Sequence, residues 1–186
     1  IGLSVGAGVT VAHAFGARRD GDIEETVHTA VPVSVLSGVV LTAIGLLLSR
    51  TFLAWMGTPD DVIGLSTIYM QLYFCGMAPC MLYNFGAAIL RAAGDSRSPL
   101  IFLSIAGSLN VVLNVIFVVF FDMNVAGVAL ATTLSQTLSA ALVLIALCRR
   151  TDACRFTFRR MKIHKTALWR MVRIGLPAGL QGSLFS

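Results

Sequence analysis

A chain of 186 residues with 56% hydrophobic and only 12% charged side chains, and a mean hydropathy of +0.83, excludes a soluble domain. Soluble helices carry charge on their outer faces, and about a quarter of the residues in such a domain are charged. The net charge of +5 is confined to short connectors with no compact basic domain to carry it, which excludes nucleic acid as a partner.

The composition predicts an all-α polytopic membrane protein. No Asp, Glu, Lys or Arg occurs between Glu25 and Arg50, Asp61 and Arg91, Arg97 and Asp122, or Asp122 and Arg149. Each gap exceeds the ~20 residues a helix needs to cross about 30 Å of hydrocarbon. Four complete spans are expected, with part of a span at each end, so the chain reads as a piece of a larger protein.

The first run, residues 1–17, places Gly2, Gly6, Gly8 and Gly16 among small side chains, a surface on which another membrane helix can pack closely. A turn with Arg18 and Arg19 follows, and Asp22, Glu24 and Glu25 suit the positive end of the next helix dipole. The second run is expected over 26–49, and an outer connector over 50–61 that holds Trp55 at the interface. The third run, 62–90, contains Gly76 and Pro79, which predict a broken helix whose freed carbonyls must find partners on neighbours.

The inner connector 91–99 reads as stop, turn and restart: Gly94 for a left-handed cap, Ser96 or Ser98 to cap the next helix, Pro99 in its first turn. The fourth and fifth runs, separated by a tight turn over 121–127, form an antiparallel pair ending at Cys148. Residues 149–173 are rich in Arg and Lys. There Phe156 and Phe158 alternate with charge, and 166–173 reads as an interfacial amphipathic helix with Leu168, Trp169, Met171 and Val172 on lipid. A new span opens at Ile174.

All fourteen basic residues except Arg50 fall in alternate connectors, which places the connectors near 18, 91–97 and 149–173 in the cytoplasm. The four cysteines form neither a CxxC pair nor a Cys/His set with zinc spacing and read as small hydrophobes. His13 and His28 read as isolated interfacial histidines.

No expected span carries a charge near its centre, so candidate chemistry falls to uncharged polar groups. Asn110 and Asn114 share one face of the fourth run, and Thr132 and Gln136 one face of the fifth. Counted from the outer turn, Asn114 and Thr132 lie about 10 Å deep. Their oxygens fit either a hard cation such as Na⁺ or an interhelical hydrogen bond. Gln71, Tyr73, Met77 and Met81 in the third run, with Gln136, are candidates to line a cavity for bulky organic molecules. A membrane-embedded enzyme would need clustered His, Asp or Glu at an inner face. The acids at 20–25 are accounted for by the cap and turn. Pro32 and Pro79 suit moving helices better than a static scaffold.

Several ordered segments resemble the multidrug and toxic compound extrusion (MATE) transporters. They are Gly2-Leu-Ser-Val-Gly-Ala-Gly8 with Phe15-Gly-Ala17, Tyr83-Asn-Phe-Gly-Ala-Ala-Ile-Leu-Arg-Ala-Ala-Gly-Asp-Ser-Arg-Ser-Pro99, Asn110-Val-Val-Leu-Asn114 with Val125-Ala-Gly-Val-Ala-Leu-Ala-Thr132, and Ile174-Gly-Leu-Pro-Ala-Gly-Leu-Gln181. The resemblance implies a twelve-helix antiporter of two six-helix lobes in the inner membrane. It would export organic, cationic or amphipathic compounds against Na⁺ or H⁺ and need no other cofactor. On that map residues 1–148 are part of the first lobe, from the end of helix two to helix six. Residues 149–173 are a cytoplasmic interfacial linker, and 174–186 begin helix seven of the second lobe, the missing partner. Some members carry Asn and Asp four apart in helix five and a Thr in helix six. Asn110, Asn114 and Thr132 match those positions, with Asn114 where those members have the acid. A lipid-linked oligosaccharide flippase of the same broad superfamily is the alternative.

Overall fold

The computed structural model describes residues 2–184; Ile1 and residues 185–186, at the ends of the first and last apolar runs, lie outside the described residues. The described residues form α1 (Gly2–Gly16), α2 (Asp20–Trp55), α3 (Asp60–Cys75), α4 (Met77–Ala92), α5 (Arg97–Val115), a π-helical turn (Ile116–Phe120), α6 (Asn124–Arg149), a short 3₁₀ turn (Phe158–Arg160) and α7 (Lys165–Leu184). Four units are long and apolar enough to cross a membrane: α2, α3 with α4, α5 with its π turn, and α6.

The second helix outruns its expected limits. At 36 residues α2 spans about 54 Å, and the helix continues through Arg50 to Trp55, so the outer connector is only residues 56–59. Gly57 turns it with φ of +73°. Trp55 is 80% exposed, consistent with a ring at the headgroup level.

The third run breaks where Gly and Pro predict. Gly76 separates α3 from α4, and Pro79 falls in the first turn of α4, where its missing N–H interrupts little. The carbonyls released at the end of α3 are taken by two threonines from different helices. Thr42 of α2 donates to the Phe74 oxygen at 2.8 Å, and Thr133 of α6 to the Leu72 oxygen at 2.9 Å. Gln71 Nε2 adds a 3.2 Å bond to the Leu46 oxygen. The break is therefore a braced joint between α2 and α6.

The inner connector follows its predicted turn, but another residue caps it. Gly94 takes φ of +86°. Ser96 makes no side-chain cap; instead Asp95 accepts from the Ser98 N–H at 3.0 Å and the Ser98 hydroxyl at 2.6 Å. The Ser98 hydroxyl and N–H together hold the Asp95 carboxyl below its ordinary value. A depressed carboxylate pKa stabilises the fold at neutral pH, and the contribution is lost as pH falls through the folded pKa, below 3.8. Asp95→Ala should cost about 1 kcal/mol in thermal unfolding at pH 7. An equal melting temperature for both proteins would rule out the cap.

The core lies at the inner half. Val11 of α1, Ile23 and Val27 of α2, Phe85 and Ile89 of α4, and Val143 and Leu147 of α6 are all fully or almost fully buried. Tyr83 ties α4 to the start of α5 by a 2.9 Å bond to the Pro99 oxygen. The basic connectors converge on one end: Arg160 pairs with Glu24 at 2.6 Å and Arg170 with Asp22 at 3.2 Å. Reporters fused after Arg97 or Arg160 should read cytoplasmic, and one fused at Pro59 external. A cytoplasmic Pro59 would invert the topology.

One expectation for 149–173 is corrected, the lipid-facing place of Met171. Cys154 is fully buried and Phe156 is 1% exposed, while Phe158, Met161, Ile163 and Trp169 stay exposed. Met171, expected on lipid, is also fully buried, against α1. α7 runs unbroken from Lys165 to Leu184, across residues 173 and 174. Glycines on both helices explain why α7 lies so close to α1. A β-carbon at Gly175 would stand 2.7 Å from the Gly2 oxygen, and one at Gly6 would meet the Met171 oxygen.

His28 is not isolated either. It is 2% exposed, with Nδ1 2.8 Å from the Glu24 oxygen, and its Nε2 accepts the Thr157 N–H at 3.2 Å. Those two contacts fit the Nδ1–H tautomer.

Candidate functional site

The antiparallel pair α5 and α6 links Asn110, Asn114 and Thr132 in one hydrogen-bonded cluster, with Asn110 rather than Asn114 opposite Thr132. Asn114 Nδ2 donates to Asn110 Oδ1 at 2.9 Å, and Asn110 Nδ2 donates to Thr132 Oγ1 at 3.3 Å. Thr132 in turn donates to the Val128 oxygen at 3.0 Å. The chain of donors runs one way and leaves a single free acceptor at its head. Asn114 Oδ1 is buried with no partner among the described residues.

An orphaned buried carbonyl costs about 1–3 kcal/mol, so it is a place where a ligand or ion regains energy. Three oxygens of the cluster are uncharged, which suits ligation of a hard monovalent cation. The same side chains do not titrate in the physiological range, so they cannot by themselves carry a proton. Immediately beyond Asn114 the helix widens into the π turn, where the Phe121 N–H reaches the Ile116 oxygen at 3.2 Å. Such turns occur often at functional sites. The uninterrupted β-branched and aromatic run there gave no signal of it; the expected tight turn over 121–127 is instead this π turn plus residues 121–123, with Asp122 and Asn124 at positive φ.

The five cavity candidates do not gather in one place. Gln71 bridges α3 to α2. Tyr73 lines an apolar groove of about 650 Å³ at the outer end of α2, α3 and α6, with Tyr69 stacked on it at 6.3 Å. Met81 lines a different groove of about 610 Å³ between α1, α2, α4 and α7. Half-buried Met77 and Gln136 line neither, and Gln136 lies near Gly76 at the braced joint. Residues of α3 alternate around a helix, so an apolar run of Met and aromatics does not disclose which share a cavity.

The comparisons with known proteins agree with this architecture. The family model MatE matches residues 1–116. The probable multidrug resistance protein YoeA of Bacillus subtilis (strain 168) is 30% identical over the whole of this chain, which spans 42% of YoeA. The multidrug export protein MepA of Staphylococcus aureus (strain bovine RF122 / ET3-1) is 25% identical over 98% of this chain and 40% of its own length. A solved structure described as a crystal structure of MATE in the bent conformation superposes with a TM-score of 0.90. It is 27% identical and covers 96% of this chain and 40% of that one. The chain thus spans about two fifths of the length of the relatives it matches. With more than half of its length matched by the family model, this multi-pass membrane chain belongs to the MatE family, whose members are transporters and not enzymes.

Proposed function

We propose that this chain supplies first-lobe helices of a secondary antiporter in the plasma membrane, exporting organic, cationic or amphipathic compounds in exchange for Na⁺ or H⁺. The observation that carries the reading is the Asn110, Asn114 and Thr132 cluster, with its one unpartnered oxygen, in a chain of this family. Relatives named for multidrug resistance and export support the substrate class. Alternating access needs a second lobe, and α5 has surface to offer one: it buries only Pro99 and Ala106.

Within the cluster, Asn114 Oδ1 is the atom that would receive the coupling ion, while Asn110 and Thr132 fix its orientation through their hydrogen bonds. Because amides do not titrate, Na⁺ is the ion these residues fit, and a coupled proton would ride on an acid elsewhere. Three oxygens do not complete a cation's shell, so further ligands would come from water, substrate or other helices.

The test is efflux by the complete transporter. Asn114→Ala should weaken apparent Na⁺ affinity about tenfold at unchanged membrane abundance. Asn114→Asp should keep Na⁺ dependence and add a dependence on pH, since a carboxylate titrates where an amide does not. Transport by Asn114→Ala at the normal rate and ion dependence would leave the cluster as interhelical packing alone.

A further inference from the structure

We propose that the inner end of the α1, α2 and α7 seam is a headgroup site for an anionic phospholipid, with Arg170 and Arg173 taking the phosphodiester. The site is a hollow of about 410 Å³ lined by His13, Arg19, Asp22, Arg170, Arg173 and Ile174, among others. It has three guanidinium groups and a single carboxylate. Asp22 Oδ2 lies 3.2 Å from Arg170 and 3.8 Å from Arg19, while Arg173 makes no ion pair among the described residues. One acid shared by two arginines, with a third unpaired, leaves two positive charges uncompensated at the mouth of the hollow. Basic pockets between membrane helices on the cytoplasmic side recognise anionic headgroups by this charge complementarity.

The face of α7 beside the hollow indicates that the phosphate arrives on a lipid. Trp169 is 67% exposed, Leu176 54% and Leu180 60%, and Arg173 is also exposed. Residues 169, 173, 176 and 180 follow one another at helical spacing, so they form one stripe. Along it an indole sits outermost, then a guanidinium, then leucines toward the bilayer interior. That is the polarity profile of a phospholipid laid against the helix, with the ring at the headgroup level and the acyl chain on the leucines, which line the open groove between α1, α2, α4 and α7. A soluble phosphate would use the arginines and leave the stripe without a partner. The proposal rests on the membrane topology and not on the ion-coupling reading, and a binding measurement tests it independently of transport.

The 186 residues contain two tryptophans, so in the complete transporter Trp55→Phe, with Phe at any tryptophan outside these residues, leaves Trp169 as the indole reporter. The Trp55→Phe protein is placed in phosphatidylcholine nanodiscs in which a minority of the lipid is brominated. Brominated phosphatidylglycerol should quench Trp169 with about fivefold greater effectiveness than brominated phosphatidylcholine at equal fraction. Arg170→Gln with Arg173→Gln should remove the preference and leave quenching by phosphatidylcholine unchanged, while the double Lys variant retains it. Arg173→Gln alone, at a residue with no ion pair in the fold, should reduce the preference even if the double variant folds poorly. Equal quenching by both lipids overturns the proposal. So does protection from both, which would mean that protein covers the stripe. Loss of the preference on adding glycerol phosphate to the buffer would overturn it in favour of a soluble phosphate.

Discussion

Gly6→Leu should strongly destabilise the protein. A side chain there would have to displace the backbone of α7, because the Met171 oxygen already occupies the position of a β-carbon and the Gly175 nitrogen stands 2.9 Å from it. Flexible side chains can yield to an inserted methylene at about 1–3 kcal/mol, but a helix backbone can only move away as a unit. The loss should therefore reach at least about 3 kcal/mol, seen as a large fall in the temperature at which the detergent-solubilised protein stops eluting as a single species. Gly107→Ala is the matched control. It is also a glycine within a membrane helix, but nothing lies within 4 Å of an added β-carbon. Alanine there should leave stability unchanged or raise it by up to about 1 kcal/mol through helix propensity. If Gly6→Leu and the wild type lose their single elution peak together, α7 does not pack on α1 as described.

Charge-free length made the spans and their order legible, because hydrocarbon penalises charge whatever the tertiary context. The joint at Gly76 was legible for the same kind of reason, since Pro79 cannot donate. Its bracing was not. Thr42 and Thr133 look like any other hydroxyls in apolar helices, and only the three-dimensional neighbours show that their donors reach carbonyls freed on α3. The Asn110, Asn114 and Thr132 cluster was legible because a two-helix hairpin converts counted depth into proximity with little freedom. The cavity residues were not, because their grouping depends on rotations of α3 and α4 on either side of a break.

The contacts of the segment after α6 were the least legible. Alternating aromatics and arginines carry the same pattern whether a segment lies on a lipid surface or straps across a protein. The deciding groups are remote in sequence. His28 accepts the Thr157 N–H, and Thr29 receives the His164 N–H at 3.1 Å, so one turn of α2 fastens both ends of the strap. With the strap so anchored and α7 pressed on α1, the first helix beyond the linker is held against the described lobe by local contacts.

Phe156→Ala and Phe158→Ala should separate the two readings of that strap. Their residues stand two apart in the chain and their rings touch edge to face at 5.0 Å, yet Phe156 is 1% exposed and Phe158 62%. Phe156 also packs its ring 5.5 Å from that of His28, and its N–H donates to the Leu147 oxygen at 3.1 Å. Truncating a fully buried Phe costs about 3–5 kcal/mol, whereas a largely exposed one should cost less than about 1 kcal/mol. The neighbouring Cys154 reports the difference, since burial in the closed strap pushes its thiol up to about 12 and keeps it from reacting as a thiolate. In a background with Ser at Cys75, Cys80 and Cys148, maleimide labelling of Cys154 should be slow in the wild type and in Phe158→Ala. It should quicken at least about tenfold in Phe156→Ala, as local opening of the strap becomes accessible. A strap lying on lipid would hold both rings alike, and equal labelling rates in the two variants would return the segment to that role.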